Sequence, residues 1–175
     1  MAIRALSAAY FVGEILIPNV SGTTTTEQVN LFPLNLAIAK HVPVFLKGLL
    51  GDTLYEAYVA GIASPTDKWT TLNNKIYYTD AALTALGTGL SPAANYVYFR
   101  YWQYQSTVTL QNGEGHASHE NFTLVGIGHK MVAAWNEMVR MNEELIEWLD
   151  DNADTYTEWE KSEVDDSLFT RITQC

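Results

Sequence analysis

Apolar residues recur at intervals of three and four along most of this chain, and that spacing places them on single faces of helices. The first such run is Leu31, Leu34, Ile38, Val42, Phe45 and Leu49. Thr26 and Glu27 ahead of it read as a helix start, and Pro33 falls early enough to be tolerated in a first turn. Pro43 is expected to kink or divide this helix, and Gly51-Asp52 to break it. Leu54, Tyr55, Tyr58 and Val59 then suggest a short helix ended by Gly61. Ser64-Pro65-Thr66-Asp67 is a second start cluster, followed by Trp69, Leu72 and Ile76 on one face. After a stretch of small residues, Ser91-Pro92 supplies a capping residue with proline at the first helical position. It opens a segment in which Ala94, Val97, Tyr101, Tyr104 and Val108 alternate by three and four.

The longest pattern is Leu124, Ile127, Met131, Ala134, Met138, Met141, Leu145 and Trp148, flanked by Val125, Val132, Trp135, Val139, Ile146 and Leu149. Such a wide apolar face, with Lys130, Asn136, Glu137, Arg140, Glu143, Glu144 and Glu147 opposite, predicts the amphipathic helix around which the others pack. Asn112-Gly113 and Gly115 before it have the chemistry of a tight turn, which predicts a loop over 112–120. The fold class expected is mainly α: a helical bundle of four to five helices with a short N-terminal strand or arm and an extended C-terminal tail. The expected division is an arm over 1–26, a bundle over 27–153 and a tail over 154–175.

The two ends lack helical period. Residues 10–20 are apolar and β-rich, with Phe11, Val12, Ile15, Leu16 and Ile17 stopped by Pro18. Residues 154–175 are acidic but carry Tyr156, Trp159, Leu168, Phe169 and Ile172. With no periodic partner in the chain, these residues are expected to find contacts outside their own bundle. The aromatic run from Tyr96 to Tyr104 encircles its helix, so either that helix is central or one side meets a neighbour. The interface candidates are therefore Phe11, Ile15, Leu16, Tyr98, Trp102, Tyr156, Trp159 and Phe169.

Composition narrows the function. Twenty acidic against ten basic residues give a formal charge of −10, which opposes approach to nucleic-acid phosphates. The only cysteine, Cys175, has no partner in the chain for a disulfide or a thiolate metal site. No stretch approaches the roughly 18 apolar residues of a membrane helix, and the first twenty residues lack the basic lead and apolar core of a signal peptide. Two glycosylation triplets, at Asn19 and Asn121, are short enough to arise by chance.

Candidate chemistry is sparse. His116, His119 and Glu120 could supply imidazole and carboxylate ligands, but they fall in a glycine-containing loop without further ligands beside them. His41 and His129 read as surface or hydrogen-bonded helix residues. No nucleophile elbow or phosphate loop occurs, and the carboxylates fall on exposed faces or in the tail. The expectation is no catalytic residue, no metal and no cofactor, with a small helical enzyme or metal protein using the His116, His119 and Glu120 loop as the alternative.

The order of these features resembles the head-to-tail connector proteins of tailed bacteriophages, the head completion or adaptor family. The resemblance runs over about residues 29–160 and is carried by Phe45-Leu46-Lys47-Gly48-Leu49-Leu50-Gly51-Asp52-Thr53-Leu54-Tyr55, the aromatic helix, the glycine loop, and Asn142-Glu143-Glu144-Leu145-Ile146-Glu147-Trp148-Leu149. It implies a non-enzymatic virion protein made in the bacterial host cytoplasm. It further implies a homo-oligomeric, twelvefold ring at the phage neck, bridging the portal protein and other neck or tail proteins, with DNA passing non-specifically through the lumen. In such a ring Glu143, Glu144 and Glu147 are the candidates to face the channel.

Overall fold

The computed structural model of the 175-residue chain describes residues 5–20, 24, 28–77, 91–105, 107–110, 113–116 and 127–175. Four α-helices form its frame among these residues: α1 (Leu31–Ala63), α2 (Asp67–Tyr77), α3 (Pro92–Gln105) and α4 (Ile127–Asp151). An antiparallel hairpin of β1 (Thr107–Leu110) and β2 (Gly113–His116) stands between α3 and α4. Single 3-10 turns occupy Ala8–Tyr10 and Gly13–Ile15 before the helices, and Lys161–Glu163 and Asp166–Phe169 after them. The mainly helical bundle expected from periodicity is what the chain forms.

α4 is the centre of the bundle for the reason its pattern gives. Met131, Ala134, Met138, Met141, Leu145 and Leu149 are all buried, while Glu143, Glu144 and Glu147 lie outside. α3 crosses it in antiparallel sense, with the Phe99 ring 4.7 Å from Trp135 and Asn95 beside Met141. Every residue from Pro92 to Phe99 is buried, so the aromatic run belongs to a central helix in its first half. Only its last turns reach the surface, where Trp102 is half-buried and Tyr104 exposed. α1 packs on α3 through Phe45 and Tyr96, whose centroids are 5.0 Å apart. α2 is tied in by Asn73, buried, whose Nδ2 donates to the Tyr58 hydroxyl.

Several local expectations are corrected. α1 runs through Pro43 without dividing there, and its interruption falls at Gly51, at the break expected there, with φ 75° and ψ 166°. Pro43 and Ala39 both lie on the exposed side, where water can take the carbonyl that loses its donor, so the proline need not end the helix. Gly51 has no such latitude: its backbone conformation is essentially restricted to glycine, and a Cβ there would lie 2.6 Å from that of Glu163. Val108 belongs to β1 and not to the aromatic helix, because Thr107-Val108-Thr109 favours a strand. The loop expected over 112–120 contains β2, whose Gly113 pairs with Leu110.

The larger correction concerns the ends. Residues 5–20 form neither a strand nor a free arm: Phe11, Ile15 and Ile17 are buried in the same core as the helices, and the Tyr10 ring meets Tyr77 edge-on at 6.3 Å. The tail is equally engaged, with Tyr156 and Leu168 buried. Tail and helices are stitched by named bonds. Asp165 N donates to Gly48 O, Trp135 Nε1 to Thr170 O, Asn142 Nδ2 to Leu168 O and the Tyr156 hydroxyl to Lys68 O. The Asn136 amide uses both ends on the Ile172 backbone, accepting from its N–H and donating to its carbonyl.

Two substitutions test this packing by denaturant unfolding. Met138→Ala removes a fully buried side chain from α4 and is expected to cost about 2–5 kcal/mol. Gly51→Ala is expected to cost about 1–3 kcal/mol from backbone strain, more if the tail is displaced. A loss below about 0.5 kcal/mol at Gly51 would show that the chain does not hold that backbone conformation.

Candidate functional site

The charges are segregated along the chain. Neither 28–51 nor 91–105 contains a carboxylate, whereas twelve of the twenty lie within 137–166. Folding brings the two carboxylate-free stretches together, because the first half of α1 runs antiparallel to α3. The His41 ring sits edge-on to Tyr96 at 6.3 Å, and Pro33 lies level with the end of α3. Between the start of α1 and the end of α3 opens a groove of about 190 Å³. Its apolar lining includes Pro33, Leu36 and Tyr104, and its polar lining Lys40, His41 and Arg100.

The cations of this groove have no carboxylate partner among the described residues. Arg100 stacks over Tyr96 at 5.1 Å and donates to Gln103 Oε1. His41 has its pKa lowered, first by burial and then by the nearby charges of Lys40 and Arg100, so its imidazole is neutral at pH 7. Lys40 and Arg100 therefore set the sign of the local field. By contrast Lys47, Lys68, Arg140, Lys161 and Arg171 each face a carboxylate.

Apolar side chains border the cations. Phe32 is 76% exposed, Leu36 60% and Val44 61%, and with Lys40 they form one ridge at four-residue spacing. Tyr104, 76% exposed, stands beside it on α3. Isolated exposed hydrophobics are ordinary, but a contiguous set on one helix face marks an interaction surface. The apolar period of α1 did not point to Phe32, Leu36 and Val44, since they fall off its core face. The signal that could have found them is large apolar residues at off-face positions within a stretch free of acids.

The interface candidates divide. Phe11, Ile15, Tyr98 and Tyr156 are spent in the chain's own core; Trp102, Trp159 and Phe169 are half-buried; Leu16 is exposed. Of the three carboxylates expected along a channel, Glu143 pairs with Arg171 at 3.2 Å and Glu144 with Arg140, while Glu147 is exposed. The loop of His116, His119 and Glu120 lies outside the described residues except for the backbone of His116. No three His, Cys, Asp or Glu side chains converge among the described residues, and His129 is exposed. No helix among them is long and apolar enough to cross a membrane. No protein-family model, curated protein or solved structure matches the chain.

The acidic tail and the end of α4 form a structural clamp whose carboxylates are tuned by their partners. Glu163 is held below its ordinary range by the Thr53 backbone N–H and then by the Thr53 hydroxyl. Asp150 is lowered by hydrogen bonds from Lys161 and Trp159, and Glu158 by one from Lys68. A carboxyl with a depressed folded pKa stabilises fully above its unfolded value and loses that contribution as the pH falls through the folded one. With unfolded values of 3.8 for Asp150 and 4.5 for the two glutamates, the clamp is intact at pH 7 and loosens below about pH 4.5. The Trp159 indole resonance, bonded to Asp150 Oδ1, should titrate with a midpoint below 3.8. A midpoint at or above that value would mean the Asp150 contacts do not form in solution.

Proposed function

We propose that this chain is a non-enzymatic structural subunit of a tailed bacteriophage, a ring-forming head-to-tail connector that bridges portal and tail and surrounds the DNA exit channel. The single observation that carries an assembly role is the contiguous exposed apolar and basic face of α1 and α3. A bundle that has enclosed residues 5–20 and its tail in one core leaves these side chains exposed, and large apolar side chains grouped on one exposed face are the mark of a contact to be made. The resemblance over residues 29–160 to connector proteins supplies the kind of assembly, and the helical architecture accords with it.

In this reading the partners are further copies of the chain, the portal protein and neck or tail proteins. DNA is a passing cargo. A net charge of −10 suits a wall along which a genome slides, since each phosphate–lysine contact would hold the DNA and release counterions. The protein is made in the host cytoplasm and resides in the virion neck. Deleting its gene should yield DNA-packaging heads and free tails that fail to join, visible by negative-stain microscopy, with joining restored by expression in trans. Normal tailed particles from the deletion would end the proposal.

A further inference from the structure

We infer that the groove between α1 and α3 is the docking site for a second copy of this chain, gripped head to tail through carboxylates at the opposite end of α4. The inference rests on the assembly reading above and specifies how one subunit holds the next.

The argument is one of charge and position. Glu147, Asp151 and Asp154 are exposed and carry no ion pair among the described residues. The first two share a ridge at four-residue spacing, and Asp154 follows just beyond the helix. Because Phe99 meets Trp135 and Asn95 meets Met141, the end of α3 lies level with the start of α4. Measured from the level of Trp135 along the helix axis at 1.5 Å per residue, the acidic ridge is then about 18 Å away at Glu147 and about 24 Å at Asp151. One chain cannot bring its own ridge into its own groove. A second copy can, setting carboxylates against Lys40 and Arg100 while covering Phe32, Leu36 and Tyr104.

Charge also fixes the symmetry. Two copies joined groove to groove would place Lys40 and Arg100 against the same cations, a like-charge contact that opposes association. A two-fold contact of groove on groove is therefore disfavoured. What remains is groove on ridge; made once per joint, as the ring of the assembly reading requires, it is a heterologous contact that propagates into a closed ring or an open filament. Glu147 is thereby assigned to the joint between copies and not to a channel wall.

Sedimentation velocity of the 175-residue chain at low ionic strength is the test. Wild type should form concentration-dependent oligomers that weaken as salt rises. A groove variant, Leu36→Glu with Lys40→Glu, and a ridge variant, Glu147→Ser with Asp151→Ser, change exposed residues only, and circular dichroism should confirm their folds. Each alone should associate at least about tenfold more weakly than wild type. Mixed in equal amounts they should form a one-to-one dimer and nothing larger, since the intact ridge of one meets the intact groove of the other. A monomeric wild type overturns the inference, as does a mixture that stays monomeric. Oligomers unaffected by either variant overturn it too, while leaving an assembly role through another surface standing. If self-association follows this pattern but the gene proves dispensable for joining heads to tails, the neck assignment fails and the docking site survives.

Discussion

Glu163 accepts two hydrogen bonds from Thr53, one from its backbone N–H and one from its hydroxyl, at the point where Gly51 interrupts α1. Much of the fold depends on this junction. The interruption gives α1 a change of course, and the first backbone N–H groups after it need acceptors that the helix itself does not supply. A carboxylate from the far end of the chain provides one, as a capping side chain would at a true helix start. The close approach of Glu163 is possible because residue 51 has no side chain. Two features more than a hundred residues apart are thus conditions for one another.

From that junction the tail runs across α1 and α4 with its polar groups matched in sequence. Asp165 reaches Gly48, Leu168 reaches Asn142, Thr170 reaches Trp135 and Ile172 reaches Asn136. Asn142 is fully buried, and its Oδ1 has no hydrogen-bond partner, so removing the tail would leave its amide donor unmatched as well. A buried amide without partners costs about 1–3 kcal/mol, enough to make the tail part of the stable unit. The 3-10 turns suit this role. They reverse the chain tightly while keeping carbonyls and N–H groups free for side chains of the helices beneath.

The helices were legible in the sequence because an amphipathic helix writes its burial as a period, and α4 does so for seven turns. The ends are illegible for the same reason. Phe11, Ile15, Tyr156 and Leu168 are buried without regular spacing, and a residue in an irregular segment gives no periodic sign of the neighbour it will meet. Lack of period looks like lack of an internal partner, yet hydrogen bonds from Asn136, Asn142 and Trp135 supply what periodicity does not announce. At Pro43 a strong local rule gave way because its cost depends on exposure. The groove was hidden differently: each residue in it has an ordinary explanation, and only the antiparallel run of α1 against α3 puts Leu36, Lys40, Arg100 and Tyr104 side by side.

The formal charge of −10 is therefore a poor guide to how this surface behaves at contact. Five of the basic residues are neutralised locally by carboxylates, all of which except Asp52 lie on α4 or in the tail. The field beyond a few ångströms is set by what is left over. At the groove that remainder is Lys40 and Arg100 beside a neutral His41; at the end of α4 it is Glu147, Asp151 and Asp154. At an ionic strength of 0.1 M, charges more than about 10 Å apart are largely screened, so the ends, about 18–24 Å apart, act as separate surfaces of opposite sign. In the docking proposed above, a chain repelled by its copies on average would be attracted to them in one orientation. Its net charge would oppose indiscriminate association, its local charges would select the pairing, and the exposed apolar ridge of α1 would supply surface whose burial holds the pair once formed.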